Sequence, residues 1–459
     1  MKERKAHSRV MKARTNCCCG IRVRFYTTTG ILKDVAAVTD TLRDKYRTEY
    51  EKNPVFILFL TILVTFFIVF AVSVVISGGS TFHNILNADP SKIFYDHFES
   101  IEYSYDHPYT DPAHVVIYPP LVTVFYALLG RIIVPYADTS VSPLAVAMCQ
   151  SQMGLITFFI IILLVFCVLY AVFSKILRPM DTKKELMFVL LILLGYPFIY
   201  AVERGNSILL ALVFCFIFLL GYRSENKILR YLSYIALGCA AGIKIYPAIL
   251  WLLIIRDKNY KEAGICAAIA AALIFVPFIF TDGNPLIMLD NITSYTGVNL
   301  GVTNINQIVL GIFQEFLGFS GSTASVISYA AIGIFTVLSF IVILFDREMK
   351  FWKVVALISC NLILGLGVGV QYQIVYMAMP ILYFLAAEKE MTKENKFYTI
   401  CFAMMMVLIP GIEAAGGHSS IVVGAMESAF VIVVAAALLY EGLKRVYRNR
   451  RTEQQAVAA

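Results

Sequence analysis

The sequence predicts an all-α polytopic membrane protein, a bundle of about twelve transmembrane helices. Of its 459 residues, 59% are hydrophobic and 15% are charged, and the mean hydropathy is +0.75. A water-soluble domain cannot bury that much apolar surface. The apolar runs have helix length and do not form alternating ten-residue segments, so helices are favoured over a transmembrane barrel.

Charge and cysteine content agree with this class. The net charge of +7 is concentrated in the termini and the short loops, as the positive-inside rule requires, and so does not indicate a nucleic-acid partner. Three of the ten cysteines, Cys17, Cys18 and Cys19, lie in the basic N-terminal tail. Most others lie within apolar runs, where cysteine acts as a small hydrophobe. We therefore expect no disulfide framework.

The N-terminal region, residues 1–53, is a basic extension with thirteen Lys or Arg against six Asp or Glu, which predicts a cytoplasmic N-terminus. The first apolar run, residues 54–77, is long enough to span and is expected to be an uncleaved anchor. It delivers residues 78–120 to the outside as the first extracytoplasmic loop. Residues 119–135 are apolar but short and carry Arg131. If they crossed, the next basic cluster would lie outside, so we predict a re-entrant or interfacial segment.

The remaining loops follow one pattern, in which basic clusters separate pairs of apolar runs. Residues 153–173 return the chain to the cytoplasm, where we place the basic clusters 175–184, 223–230, 256–261, 347–353, 389–396 and 444–451. The hairpins between them are 186–200 with 206–222, 228–243 with 246–255, 262–281 with 326–345, 354–369 with 372–387, and 397–412 with 421–440. The membrane domain is thus 54–440, followed by a basic cytoplasmic tail, 441–459, in a multi-pass protein of the plasma membrane.

The outward loops hold the unusual polar residues. The first loop contains Lys92 as its single basic residue, and its carboxylates are Asp89, Asp96, Glu99, Glu102, Asp106 and Asp111. The other outward segments are the turns 200–206, 242–247, 369–373 and 413–418 and a second large loop, 282–325. Several flanking runs are too short for a full bilayer, which requires about 20 residues. Short helices would leave a polar recess below the outer surface, where charges are costly and are kept for function.

Chemistry alone leaves several roles open. Arg204 and Lys244 lie on separate outward turns and together favour an anion site for a phosphate or pyrophosphate, although each could instead pair with a neighbour or reach the interface. Each of the six loop carboxylates is a candidate base. The loop histidines, His83, His97, His107 and His114, lack convincing metal-ligand spacing, so no cofactor is expected. A divalent cation held by Asp96, His97 and Glu99 is the alternative, which the ligand spacing does not support. Asn304, Asn306 and Gln307 fit helix caps as well as sugar contacts.

Three motifs indicate a family. Tyr118-Pro119-Pro120-Leu121, Arg204-Gly205-Asn206 and Lys244-Ile245-Tyr246-Pro247, in this order after an acidic outward loop, resemble glycosyltransferase family 87 over roughly residues 55–440. The resemblance implies a C-type glycosyltransferase bundle that uses a polyprenyl-phosphate sugar, as in mannosyltransferases of bacterial envelope glycolipids. It implies that the loop aspartate is Asp96 and that a late catalytic histidine is His418. The extension 1–53 departs from the family pattern.

The combined interpretation is an inverting glycosyltransferase with its active site on the extracytoplasmic face. It would move a hexose (mannose-like) or a pentose from a polyprenyl-phosphate donor to a glycolipid or cell-envelope glycan. Asp96 is the expected base, Arg204 and Lys244 bind the donor phosphate, and His418 assists there. The expected substrate-lining residues are Tyr118, Asn206, Tyr246, Asn304, Gln307 and Gln371.

Two other functions are the alternatives. A transporter or flippase of a lipid-linked or anionic substrate also buries charges among broken helices. It needs polar groups at the midplane and access to both faces, whereas the polar turns here are predicted to face one side. The sequence has no P-loop or dinucleotide-binding motif to support ATP-driven transport. A polymerase or ligase of surface glycans would differ mainly in its donor.

The predicted topology can be tested by thiol labelling. In a cysteine-free background, Asp106→Cys should react with an impermeant thiol reagent in intact cells, because the first loop is outside. Asn226→Cys, in a basic cytoplasmic loop, should react only after the membrane is opened. Labelling of Asn226→Cys from outside would contradict the topology.

Overall fold

The computed structural model describes residues 52–85, 93–105, 108–109, 116–177, 180, 182–281, 283–294, 304–365, 371–410 and 419–458. Every regular element in these ranges is a helix, which confirms the all-α class. Nearly all of the N-terminal extension 1–53 and also His418 lie outside the described residues.

Nineteen α-helices lie within the described residues. The α-helices are Pro54–Ile76, Ser80–Ile85, Tyr95–Tyr105, Pro120–Ile133, Leu144–Gln150, Gln152–Leu177, Thr182–Leu193, Tyr196–Arg204, Ile208–Gly221, Lys227–Ile243, Leu252–Arg256, Tyr260–Phe275, Pro285–Ser294, Ile305–Leu310, Gly321–Phe345, Phe351–Leu364, Ala378–Ala387, Lys393–Met404 and Ser419–Ala458. Single-turn or distorted segments are the 3₁₀ helices Val134–Tyr136, Tyr246–Trp251, Val276–Phe280 and Gln371–Met377 and the π-helix Gly311–Phe316.

Several of these helices are long and apolar enough to cross a membrane. Within the described residues there are five, or six if the bent pair Lys183–Leu193 and Tyr196–Arg204, with 60° between its halves, is one span. The five are Pro54–Ile76, Gln152–Leu177, Tyr260–Phe280, Gly321–Phe345 and Val423–Thr452. Other apolar helices have 10–17 residues, among them Pro120–Tyr136 and Ile208–Gly221. The short runs expected from the sequence are therefore present, while the count of about twelve spans stays a prediction.

Polar residues in the predicted cytoplasmic loops fix where membrane helices begin. The Asn53 side chain accepts hydrogen bonds from the amides of Val55 and Phe56, at 3.0 and 3.4 Å, and Pro54 opens the helix. Its Nδ2 donates to the carbonyl of Glu388 at 3.1 Å. An Asx cap and a proline in the first turn are typical of helix N-termini. The first span is thus anchored to a distant basic loop.

Three of the predicted cytoplasmic clusters meet in one ionic network. Glu388 accepts from Lys350 Nζ at 2.6 Å and from the indole of Trp352 at 2.8 Å. Lys353, which is 4% exposed, contacts Glu394 and, at 2.5 Å, Glu441, which also contacts Arg445 at 3.6 Å. The clusters 347–353, 389–396 and 444–451 therefore lie together, as a shared cytoplasmic location requires.

The first loop folds onto the segment that follows it. Phe98 and Ile101, on the helix Tyr95–Tyr105, pack in one apolar cluster with Val122 and Tyr126 of the helix Pro120–Ile133. Glu102 accepts hydrogen bonds from the amides of Leu144 and Ala145, at 3.1 and 3.0 Å, and so caps the helix Leu144–Gln150. This packing presents the first turn of the helix Tyr95–Tyr105 to the turns that were predicted to face outward.

Candidate active site

Asp96 lies in the first turn of the helix Tyr95–Tyr105 and is held against the end of another helix. Phe94, the residue before this helix, has a positive φ of 59°, and its amide donates to the carbonyl of Glu203 at 2.6 Å. Glu203 is next to the last residue of the helix Tyr196–Arg204. This backbone hydrogen bond joins the first loop to the Arg204-Gly205-Asn206 motif.

Both oxygens of the Asp96 carboxylate are bound by that motif. Arg204 Nη2 donates to Asp96 Oδ1 and forms an ion pair with it. Asn206 Nδ2 donates to Oδ2 at 2.9 Å, while Asn206 Oδ1 accepts from the amide of Ile208 at 3.1 Å. The second contact fixes which way the Asn206 amide points. The side chains of Arg204 and Asp96 are 19% and 12% exposed, so the pair is largely sheltered but still reachable.

The backbone conformation and close surroundings of Gly205 explain why the motif has glycine at its centre. Its φ is +68°, in the left-handed region, where it ends the helix Tyr196–Arg204. A Cβ at this position would lie 2.9 Å from both the His97 Cβ and the Phe94 carbonyl oxygen. Any side chain would push the Asp96 loop away from Arg204 and Asn206.

Lys244 lies directly after the helix Lys227–Ile243, beside the Tyr118-Pro119-Pro120-Leu121 motif. Its Nζ is 4.6 Å from the centroid of the Tyr118 ring. A Cβ on Gly242 would lie 2.6 Å from Leu121 Cδ2, so the two motifs are in close contact. Burial raises the pKa of the Tyr118 hydroxyl, and the charge of Asp96 adds to the shift. The ring of Tyr118 is thus a direct neighbour of Lys244.

The other acidic residues of the first loop have different surroundings. Glu102 is used as a helix cap. Glu99 accepts from the Tyr103 hydroxyl at 3.4 Å. Burial raises the pKa of Glu99, and the nearby charge of Asp96 adds to this. Asp89, Asp106 and Asp111 lie outside the described residues.

His97 is part of the packing behind the site. It is 3% exposed, and its ring lies within 5.4 Å of the rings of Phe98, Tyr126 and Phe158, measured between centroids. Burial lowers the pKa of His97 to about 3, so it is neutral. It faces a cavity of about 30 Å³ that is also lined by Asn206 and Ser207, with room for a water molecule.

The possible metal ligands of the chain include the histidines other than His97. Among the described residues, no three His, Cys, Asp or Glu side chains are grouped as they would be around a metal ion. The side chain of His83, and His107, His114 and His418, lie outside the described residues. The assisting role of His418 stays a prediction.

The other predicted lining residues lie in different settings. Gln371 is buried, accepts from the Tyr196 hydroxyl at 3.4 Å and packs against Gly424. The ring of Tyr246 is perpendicular to that of Tyr376, with centroids 5.9 Å apart. Asn304 caps a helix, since its side chain accepts from the amide of Gln307 at 2.8 Å. The cap is the alternative role that the sequence left open for this pair.

A row of tyrosines beside the site was missed by the sequence interpretation. Tyr196 stacks on Tyr200, with centroids 5.7 Å apart, and Tyr200 stacks on Tyr372, at 6.4 Å. The Tyr372 ring centroid is 5.9 Å from Lys244 Nζ. The sequence did contain one indication of this row, since Tyr200 and Tyr372 lie in the predicted outward turns 200–206 and 369–373.

Comparison with known proteins gives one match. The sequence model of glycosyltransferase family 87 matches residues 116–366, more than half of the chain. The matched range contains all three motifs and begins after Asp96. No curated protein and no solved structure matches the chain.

The role of Gly205 can be tested by stability alone. Gly205→Ala should lower the free energy of unfolding by about 1–2 kcal/mol through its left-handed backbone, and by more through the contacts with Phe94 and His97. Thermal unfolding of the purified full chain would measure this. Gly264→Ala is the matched control, because its Cβ meets nothing within 4 Å in the helix Tyr260–Phe275. Equal melting temperatures for the two variants would contradict the proposed packing.

Proposed function

The chain belongs to glycosyltransferase family 87 and is therefore a membrane glycosyltransferase, and we propose that it uses a polyprenyl-phosphate sugar as donor. In this proposal a hexose, mannose-like, or a pentose passes to a lipid-linked or cell-envelope acceptor. The reaction takes place on the extracytoplasmic face of the plasma membrane. The donor tail stays in the bilayer, and its phosphate and sugar lie among the outward turns.

One observation carries the proposal: the Asp96 carboxylate is bound by Arg204 and Asn206. The two motif residues come from the range that matches the family, and they hold a carboxylate from outside that range. A carboxylate that is fixed in place and partly exposed beside cationic side chains suits a general base. This geometry supports Asp96 over the other loop carboxylates within the described residues.

The proposed reaction is a single displacement. The acceptor hydroxyl donates a hydrogen bond to Asp96, which takes the proton as the hydroxyl oxygen attacks the anomeric carbon. The new glycosidic bond forms while the bond from the anomeric carbon to the phosphate oxygen breaks. The electron pair of the broken bond leaves with the polyprenyl phosphate, and the anomeric configuration inverts.

The two cations have complementary tasks in this proposal. Arg204 orients Asp96 through Nη2, and its remaining N–H groups can reach a phosphate oxygen. Lys244 contributes a second positive charge. Among the described residues, no carboxylate oxygen lies within 4.0 Å of its Nζ. Both charges would stabilise the leaving phosphate.

The function is tested by transfer of label from defined donors. Membranes that contain the protein are incubated with radiolabelled polyprenyl-phosphate sugars, and the label is followed into lipid and polymer fractions. Transfer from one such donor is the expected result. No transfer from any of them, with transfer from a nucleotide sugar instead, would overturn the donor class.

Asp96→Asn should lower turnover by on the order of 10²–10⁴, the usual contribution of general-base catalysis. The amide keeps the shape of the side chain but cannot accept the proton. Label transfer by purified protein, together with thermal unfolding, separates lost chemistry from lost folding. Glu99→Gln, three residues away on the same helix, should keep most of the activity. Near-normal turnover by Asp96→Asn, or collapse in Glu99→Gln, would show that another carboxylate is the base.

Lys244→Gln should weaken use of the donor by roughly tenfold to a hundredfold. The estimate follows from the loss of one charge-assisted hydrogen bond, about 1.5–3 kcal/mol. It is measured as kcat/KM for the donor. Lys227→Gln is the matched control, because Lys227 is exposed at the opposite end of the same helix. Unchanged donor dependence in a folded Lys244→Gln protein would place the phosphate site elsewhere.

A further inference from the structure

The surroundings of Lys244 differ from those of the cations in the basic network. Lys350 contacts Glu388 at 2.6 Å, and Arg445 contacts the buried Asp346 at 2.7 Å. Lys244 instead contacts two aromatic rings. Its Nζ lies 4.6 Å from the Tyr118 centroid and 5.9 Å from the Tyr372 centroid. Both distances are within the range of cation–π attraction.

We propose that Tyr118 and Tyr372 are positioning residues for Lys244, holding its ammonium group where it meets the donor phosphate. This inference rests on the proposed function. A ring face attracts the ammonium group through its quadrupole but carries no net charge. A carboxylate partner would cancel the charge that the phosphate needs. The aromatic pair therefore restrains a flexible side chain without an acidic group that would neutralise it.

The tyrosine row gives Tyr372 a fixed orientation. Its ring stacks on Tyr200, at an interplanar angle of 24°, and Tyr200 stacks on Tyr196 at 23°. Tyr196 is fully buried and donates to Gln371, the residue before Tyr372. Tyr200 lies one turn before Arg204 on the same helix, so the row also connects the positions of the two cationic side chains.

Preorganisation of this kind has a measurable consequence. Without the ring of Tyr372, Lys244 keeps its charge but samples more rotamers, and binding must order it. Affinity for a lipid phosphate should fall by about three- to thirtyfold, the range that corresponds to one partly desolvated cation–π contact.

The test uses purified full-length protein and farnesyl phosphate as the probe, with farnesol as the uncharged comparison. Tyr372→Leu should weaken binding of farnesyl phosphate and leave farnesol binding unchanged. Tyr372→Phe retains the ring face and should restore the affinity. Tyr222→Leu is the matched control: Tyr222 is buried under Arg223, at 5.1 Å, but that cation is already paired with Asp257. Equal loss in Tyr372→Leu and Tyr222→Leu would mean a general packing effect and overturn the proposal.

Lys244→Gln and the double variant Lys244→Gln/Tyr372→Leu separate this inference from the proposed function. If Lys244→Gln weakens farnesyl phosphate binding and Tyr372→Leu does not, the positioning role is wrong and the phosphate site stands. If neither variant affects binding, the phosphate site itself is wrong. The double variant should bind no more weakly than Lys244→Gln alone, because both changes act through one group. Should Tyr372→Leu fail to fold, Tyr118→Leu and Tyr118→Phe provide the same comparison.

Discussion

The ion pair between Asp96 and Arg204, with Asn206 on the second carboxylate oxygen, is the interaction on which the rest of the site depends. It joins a loop to a helix end more than a hundred residues later in the chain. Gly205 allows this ion pair to form, because its left-handed conformation and missing side chain let the loop backbone approach the end of the helix Tyr196–Arg204. The motif Arg204-Gly205-Asn206 thus provides both the side chains that bind Asp96 and the glycine that lets the loop come close enough to be bound.

Unequal neutralisation of charge distinguishes the candidate site from the predicted cytoplasmic side. There, Lys350, Lys353 and Arg445 are matched by Glu388, Glu441 and Asp346 in a network that joins several helix ends. Such pairing stabilises a fold but leaves little net charge for a ligand. At the candidate site Asp96 has a cationic partner, whereas Lys244 has ring faces as its neighbours. An excess of positive charge at this point is what an anionic donor requires.

Sequence reasoning predicted the all-α class and the family, both confirmed, because composition and short motifs are local properties. It selected Asp96, Arg204 and Lys244 without knowing their contacts. Arg204 was expected to bind the donor phosphate, with pairing to a neighbour as the alternative, and it pairs with Asp96. That pairing depends on the tertiary approach of Phe94 to Glu203. Glu102 could not be recognised as a cap, since the helix it caps begins 42 residues later. The stacking of Tyr200 on Tyr372 was likewise invisible to local patterns.

The pairing of Asp96 with Arg204 has a consequence for the proposed reaction. Before the reaction, Arg204 holds the Asp96 carboxylate in place. As the reaction proceeds, negative charge builds on the leaving phosphate and attracts Arg204. When Asp96 takes the proton it becomes neutral, and the guanidinium charge is released for the phosphate at the moment of bond cleavage. The same arginine then stabilises the reactant carboxylate and the product phosphate in turn. Lys244, held by rings and not by an acid, stays available to the phosphate throughout.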